Sequence, residues 1–388
     1  MANTLTNLMP DLYVALDNVS RELVGFIPSV TQDTNVTRVA VGQTVRSFVA
    51  PAAAAGNITA AVTPPDDGDQ TIGNVSIAIT KARRVPLRWG GEETLGLSNN
   101  GPTAAAIRQN QFAQAMRTLT NEIEADLAAL ATTASRAYGT ATTEPFASTL
   151  GDPAQVRKIL SDNGAPLSDL QLVVSTSAGA AVRTLAQLTK VNEANDSTLL
   201  RQGVLLDIHG FALRESAQVT RPASGTMASA TSTSAAFTVG QTVIPLATAG
   251  TGTVSAGDVI TFANDTNKYI VASATFAGAN PASGDTITLA APGLRLAQGV
   301  ATRAITVVAV STRNMGFARS AIVLAQRLPA LPDGGDLAID RTTITDPRSG
   351  LSFEVAMYPQ YRQMQYEISC AWGVKNIKPE HTAVLLGG

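Results

Sequence analysis

The chain has 388 residues, of which 45% are hydrophobic, 15% charged and 5% aromatic. An apolar share of this size excludes disorder over most of the length, and 28 Lys and Arg against 30 Asp and Glu give none of the basic surplus with which a dedicated nucleic-acid binder displaces counterions from phosphate. Two His and one Cys exclude an internal disulfide and supply few metal ligands.

From Pro10 to Phe26, Leu12, Leu16, Val19 and Leu23 recur at steps of four, three and four, an amphipathic helix that Pro28 ends. It is either a surface helix on its own core or an arm that docks on another subunit. The polar, extended TQDTNVT after it suits the arm. The first residues lack the pattern of a secretory signal, and no stretch reaches the roughly 18 apolar residues of a membrane span. The expectation is a soluble chain, without a membrane partner, that folds in a reducing compartment.

Val/Thr-rich segments follow. Val75, Ile77 and Ile79 alternate with Ser76, Ala78 and Thr80, the period of a half-buried strand. Val36 to Ala50 would be its partner in a long hairpin whose acidic tip, PPDDGDQ, carries Asp66, Asp67 and Asp69. An isolated ribbon is marginal in water, so it should lie against something, such as another subunit. Arg83, Arg84 and Arg88 form a basic group that either grips an acidic partner face or guards a strand edge.

The spacing of Phe112, Met116, Leu119, Ile123, Leu127 and Leu130 predicts a long helix over Thr103–Gly139, read as a beam across a flat domain in preference to a coiled coil. Glu122 and Glu124, two apart on it, diverge and make no acid/base pair. In Asp152–Leu188 the pattern is mixed α/β, with Asp152 as N-cap and Pro153 at N1 of a helix. LQLVVST is a buried strand and SAGAAVRTLAQL a second helix. Two strand-like runs flank a turn at His209–Gly210.

From Thr226 to Pro292 the chain turns Ser/Thr/Ala/Gly-rich, and its only charged residues there are Asp258, Asp265, Lys268 and Asp285. VITFA-NDTN-KYIVA has the form of a hairpin, and several such short strands imply a small β-barrel or sandwich. After Ser311 the α/β texture returns. A turn at DGGD, beginning at Asp333, precedes one long strand, MQYEISCAWGVKNI, with Tyr366, Ile368 and Cys370 on one side. Neither a catalytic signature nor a phosphate loop in the right context is present. The chain is read as non-enzymatic, with no cofactor and no metal.

In order, these elements resemble the HK97-like major capsid protein fold of tailed double-stranded DNA phages, an α+β fold with an N-arm, E-loop hairpin, long spine helix, P-domain and A-domain. Within that family the chain is most similar to the P22-type coat protein with its inserted β-barrel. GDVITFANDTNKYIV, CAWGVKNIKPEHTAV and LLDIHGFALRESAQV carry the likeness. The resemblance implies an N-terminal arm over 1–35, an E-loop hairpin over 36–89, and a peripheral domain over 90–151 with the spine helix at 103–139. It implies an axial domain over 152–219 and 311–332, an all-β insertion over 220–310, and return strands over 333–388.

It further implies self-assembly as pentamers and hexamers of an icosahedral head around packaged DNA, touched only non-specifically. Scaffolding and portal proteins, and a decoration protein, are the implied partners, and host cytoplasm the place of assembly. One branch of the family crosslinks its subunits through an E-loop lysine. No Lys lies between Val36 and Thr80, so no crosslinking is expected. The candidate subunit-interface residues are Leu12, Leu16, Val19, Leu23, Asp66, Asp67, Asp69, Arg83, Arg84 and Arg88. An encapsulin-like compartment is the nearest alternative, a β-rich tail or adhesin protein the next.

Overall fold

In a computed structural model, the structure describes residues 25–49, 55–60, 62–63, 73–98, 103–185, 188, 207–248, 250–346 and 349–388. A 3-10 turn at Ile27–Ser29 leads into β1 (Thr31–Val39), β2 (Thr44–Val49), β3 (Gly73–Ala78) and β4 (Lys81–Gly90), then helices α1 (Gly91–Ser98) and α2 (Thr103–Ala129). After these come β5 (Arg136–Tyr138), α3 (Gly151–Asp162), β6 (Leu170–Val174), α4 (Thr176–Thr184) and β7 (Phe211–Glu215). A run of short strands follows: β8 (Thr231–Ser232), β9 (Val243–Thr248), β10 (Val259–Phe262), β11 (Lys268–Thr275), β12 (Thr286–Leu289) and β13 (Ile305–Val307). The last strands are β14 (Thr312–Ala318), β15 (Ile322–Pro329), β16 (Asp340–Thr345), β17 (Ser352–Gln360), β18 (Gln363–Asn376) and β19 (Thr382–Gly387).

One sheet has the order β1-β15-β18-β17-β16, with β4 also paired to β18. A larger one runs β7-β6-β14-β19-β5-β11-β12-β9-β8, with β10 and β13 attached through β11. The main core lies between the first sheet and α2. Strand alternation turns Tyr366, Ile368, Cys370 and Trp372 of β18 toward the helix, where they meet Phe112, Met116, Leu119, Ile123 and Leu127. Phe112 and Tyr366 stack edge to face with centroids 5.8 Å apart. Burying each large apolar side chain here contributes about 1.5–3 kcal/mol, so the apolar stripe fixes α2 on the sheet.

The helix predicted over 103–139 ends at Ala129. The Thr132 and Thr133 hydroxyls donate back to the carbonyls of Ala129 and Leu130 at 2.9 and 2.7 Å, the backbone tightens into a 3-10 turn over Leu130–Thr133, and Ala134 becomes extended. Arg136–Tyr138 then pairs with β19 on one side and β11 on the other. Strand partners distant in sequence take the backbone groups that a longer helix would have used.

The expected hairpin also divides differently. Only β2 and β3 pair with each other, from Thr44↔Ala78 to Val49↔Gly73. Residues 31–39, before the Gly42 turn (φ +92°), instead lie parallel to β15, and β4 lies antiparallel to β18. Asp152 is not the N-cap of α3. That position is Leu150, and the Asp152 carboxylate accepts the Phe146 amide at 2.8 Å. Ser175, by contrast, caps α4 by accepting from the Ala178 amide.

In β8–β13 the predicted hairpin forms as Val259↔Ile270 to Thr261↔Lys268. These strands share a core of Met227, Phe237, Ile244, Leu246, Tyr269 and Ile287. They are joined to the rest of the fold at Lys268↔Ala137 and Tyr269↔Arg136. Val259, Ile270 and Ala290 belong to the main core.

Candidate functional site

Among the described residues no group of three or more His, Cys, Asp and Glu side chains could hold a metal. The candidates taken from sequence are surface groups, and the structure adds the anchors that position them. Of the residues singled out from sequence, the Leu12, Leu16, Val19 and Leu23 stripe and the acidic Asp66, Asp67 and Asp69 lie outside the described residues.

Arg83, Arg84 and Arg88 are on β4, and the pleat separates them. Lys81, Arg83, Val85, Leu87 and Trp89 face α2, whereas Arg84 and Arg88 face the opposite side. Arg83 donates to Glu122 at 3.0 Å, and Trp89 Nε1 to Gln111 at 2.9 Å. Arg84 pairs with Glu367 at 2.7 Å on the far face. The three arginines therefore do not form the single basic group expected from their spacing, because neighbours along a strand point to opposite faces. Pro86 stands opposite Glu367. It has no N–H to offer a neighbouring strand, and among the described residues β4 pairs with β18 alone.

Lys81 roots β4 on the helix. Its ammonium donates to Asp126 at 2.8 Å and Glu122 at 3.1 Å, and Asp126 also accepts the Trp372 indole N–H at 2.8 Å. Burial pulls the Lys81 pKa down, but the hydrogen bonds and charges of Asp126 and Glu122 outweigh it and hold the value above the ordinary 10.5. The β2–β3 hairpin is fixed by its base. Ile77 and Ile79 pack on Val323, Ala325 and Ala371, and Lys375 donates to the Ser76 carbonyl at 2.9 Å. Beyond the base, residues 55–60 are exposed.

Sequence reasoning missed a second anchor. Glu124, 1% exposed, accepts three successive amides from Gly25, Phe26 and Ile27 at 2.6, 2.7 and 3.0 Å. It thereby fixes the backbone of Gly25–Ile27 on the helix. The available signal was its small helical neighbours at i−4 and i+4, Thr120 and Ala128, which place Glu124 on the buried flank of the stripe. A third cluster ties β1, β16 and β17 together. Glu354 accepts from Arg38 and from Arg341, the latter at 3.1 Å, and Arg341 also reaches Asp336. The Asp336 carboxylate is held below its ordinary pKa by the Tyr358 hydroxyl, with Ala338 and Arg341 adding to the effect.

Neither a protein-family model nor a curated protein sequence matches the chain. Its fold is similar to the capsid structure of the cyanophage P-SCSP1u, with a TM-score of 0.50 at 9% identity over 95% of this chain and 89% of that one. At lower TM-scores it aligns with a chain from Mycobacterium phage Che8 (0.46, 12% identity, 90% and 88% covered). It also aligns with the virus-like particle from Pyrococcus furiosus (0.41, 10% identity, 98% and 100% covered). The chain therefore has the α+β fold of a phage capsid subunit.

Proposed function

We propose that this chain is the major capsid subunit of a tailed double-stranded DNA phage and assembles into an icosahedral head. The observation that carries the reading is the likeness of fold to a phage capsid chain over nearly the whole length of both. A subunit of this kind works by geometry, and many weak heterologous contacts close the shell as pentamers and hexamers. Near-neutral charge suits a container that must not hold its DNA tightly.

In this reading residues 1–35 are the arm and 36–89 the E-loop region, with β2–β3 as its hairpin. Residues 90–151 and 333–388 form the peripheral domain. Residues 152–219 and 311–332 form the axial domain, and 220–310 an inserted β-domain of the P22 type. The arm stripe and the acidic hairpin tip are the segments assigned to neighbouring subunits, with Arg84 and Arg88 on the opposite sheet face as a further contact. Scaffolding, portal and decoration proteins are the proposed partners, and the shell forms without enzymatic or covalent steps in the host cytoplasm.

Electron microscopy of the full chain, expressed alone and with its neighbouring genes, tests the proposal. Closed shells of uniform size are expected. A monodisperse small oligomer under both conditions overturns it, and shells filled with an enzyme in place of DNA transfer the chain to the encapsulin-like alternative.

A further inference from the structure

Arg313, on β14, is 2% exposed, and its Nε, Nη1 and Nη2 have no hydrogen-bond acceptor among the described residues. Just before it, Ser311 is fully buried and its Oγ is likewise unpartnered. A buried guanidinium without an acceptor is among the costliest arrangements that a fold can hold, so its surroundings are informative. Arg313 sits at the seam where the chain leaves for β8–β13 and returns. Its own amide donates to the Thr220 carbonyl at 3.0 Å on the outgoing segment, and Ser311 lies on the returning one.

Asp258, 3% exposed, directly precedes Val259, whose carbonyl accepts the Val308 amide of the returning segment at 2.8 Å, and so brings the opposite charge to this seam. One of its carboxylate oxygens accepts the Gly225 amide at 2.9 Å and the other the Ser255 amide at 2.6 Å. The fit is close, since a Cβ at Gly225 would lie 2.5 Å from that carboxylate. Burial draws the Arg313 pKa down, and the Asp258 charge opposes this. Each carboxylate oxygen keeps a second lone pair.

We propose that Arg313 and Asp258 form a water-bridged ion pair that locks the β8–β13 strands onto β14, with Ser311 Oγ as a third ligand of the bridging water. Water suits the position because it accepts from the guanidinium and donates to the carboxylate. The two protein charges already cancel, so a bound anion would leave a net negative charge in a dry seam. This inference goes beyond shell formation and does not depend on it.

Amide hydrogen exchange on the full-length chain tests it with R313M, D258N, the double variant and the conservative R313K. R313M is expected to speed exchange in residues 216–225 and 307–316 about tenfold by loosening the seam locally, leaving residues 363–376 unchanged. The double variant should exchange no faster than the faster single one, and R313K should stay within about threefold of the parent chain because it keeps the charge. Unchanged or slower exchange in R313M, or single effects that multiply in the double variant, overturns the bridge. Saturable slowing of seam exchange by chloride or nitrate at constant ionic strength also overturns it, since the occupant is then an anion. If R313M fails to fold, R313K and D258N decide. Seam exchange at the parent rate in D258N overturns the pair, and faster exchange in D258N with R313K near the parent rate supports it.

Discussion

The carboxylate of Glu124 receives the backbone amide of Phe26 at 2.7 Å, joining two residues 98 positions apart in a site closed to solvent. Gly25 and Ile27 donate to the same group, so a helix side chain takes the place of a capping residue for the 3-10 turn. A Cβ at Gly25 would lie 2.7 Å from Val173 and 2.9 Å from the Glu215 carbonyl, which is why the turn can sit this deep only with glycine there.

Glu124→Ala therefore leaves three buried donors without an acceptor. The expected loss of stability is roughly 2–4 kcal/mol in denaturant unfolding, with a smaller loss for Glu124→Gln, which keeps one acceptor oxygen. A change below about 0.5 kcal/mol in Glu124→Ala would remove the anchor role.

Gly373 lets the hairpin base cross β18. A Cβ there would lie 2.0 Å from the Ala78 carbonyl oxygen, and backbone cannot move aside as a side chain can. Gly373→Ala is expected to cost at least about 1–3 kcal/mol and to reduce shell yield by more than a comparably destabilising core variant such as Ile368→Ala. Equal yields for the two would separate the hairpin from assembly.

Lys81 gives a pH signature. Its folded pKa lies above the ordinary 10.5, so its contribution is fully present below that value and is lost as pH rises through the folded one. The side chain is 30% exposed, which limits the effect to about 1 kcal/mol or less. Thermal unfolding between pH 8 and pH 11.5 should show a smaller alkaline loss in Lys81→Met than in the parent chain. Parallel curves would contradict the assignment.

Cys370 is fully buried, and burial pushes its thiol pKa well up despite the opposing hydrogen bond with Gln326. A thiol reagent should leave the folded chain unmodified and titrate one thiol after denaturation. Cys370→Ser should cost about 1–3 kcal/mol by placing a hydroxyl among Ile368, Trp372 and the α2 stripe.

Assembled shells run under denaturing, reducing electrophoresis should give one band at the subunit mass of 40.1 kDa. A ladder of multimers would show crosslinking through a residue other than a hairpin lysine.

Local pattern was enough to determine some elements. The apolar stripe from Phe112 to Leu127, the alternation along β18 and the NDTN turn between β10 and β11 each follow from short-range periodicity and turn chemistry, which neighbours in sequence carry in full. They recur in the structure at the expected places. What only the tertiary structure decided was partnership. Residues 31–39 read as extended, but only β15, nearly 300 positions later, supplies their ladder. The helix stops at Ala129 because β19 and β11 offer Arg136–Tyr138 a better set of hydrogen bonds. The adjacent residues Arg83 and Arg84 part to opposite faces once β4 is fixed on β18, and Glu124 becomes an anchor once Gly25–Ile27 reaches it. Each of these depends on contacts whose energy comes from distant segments, and no local period encodes which distant segment will arrive.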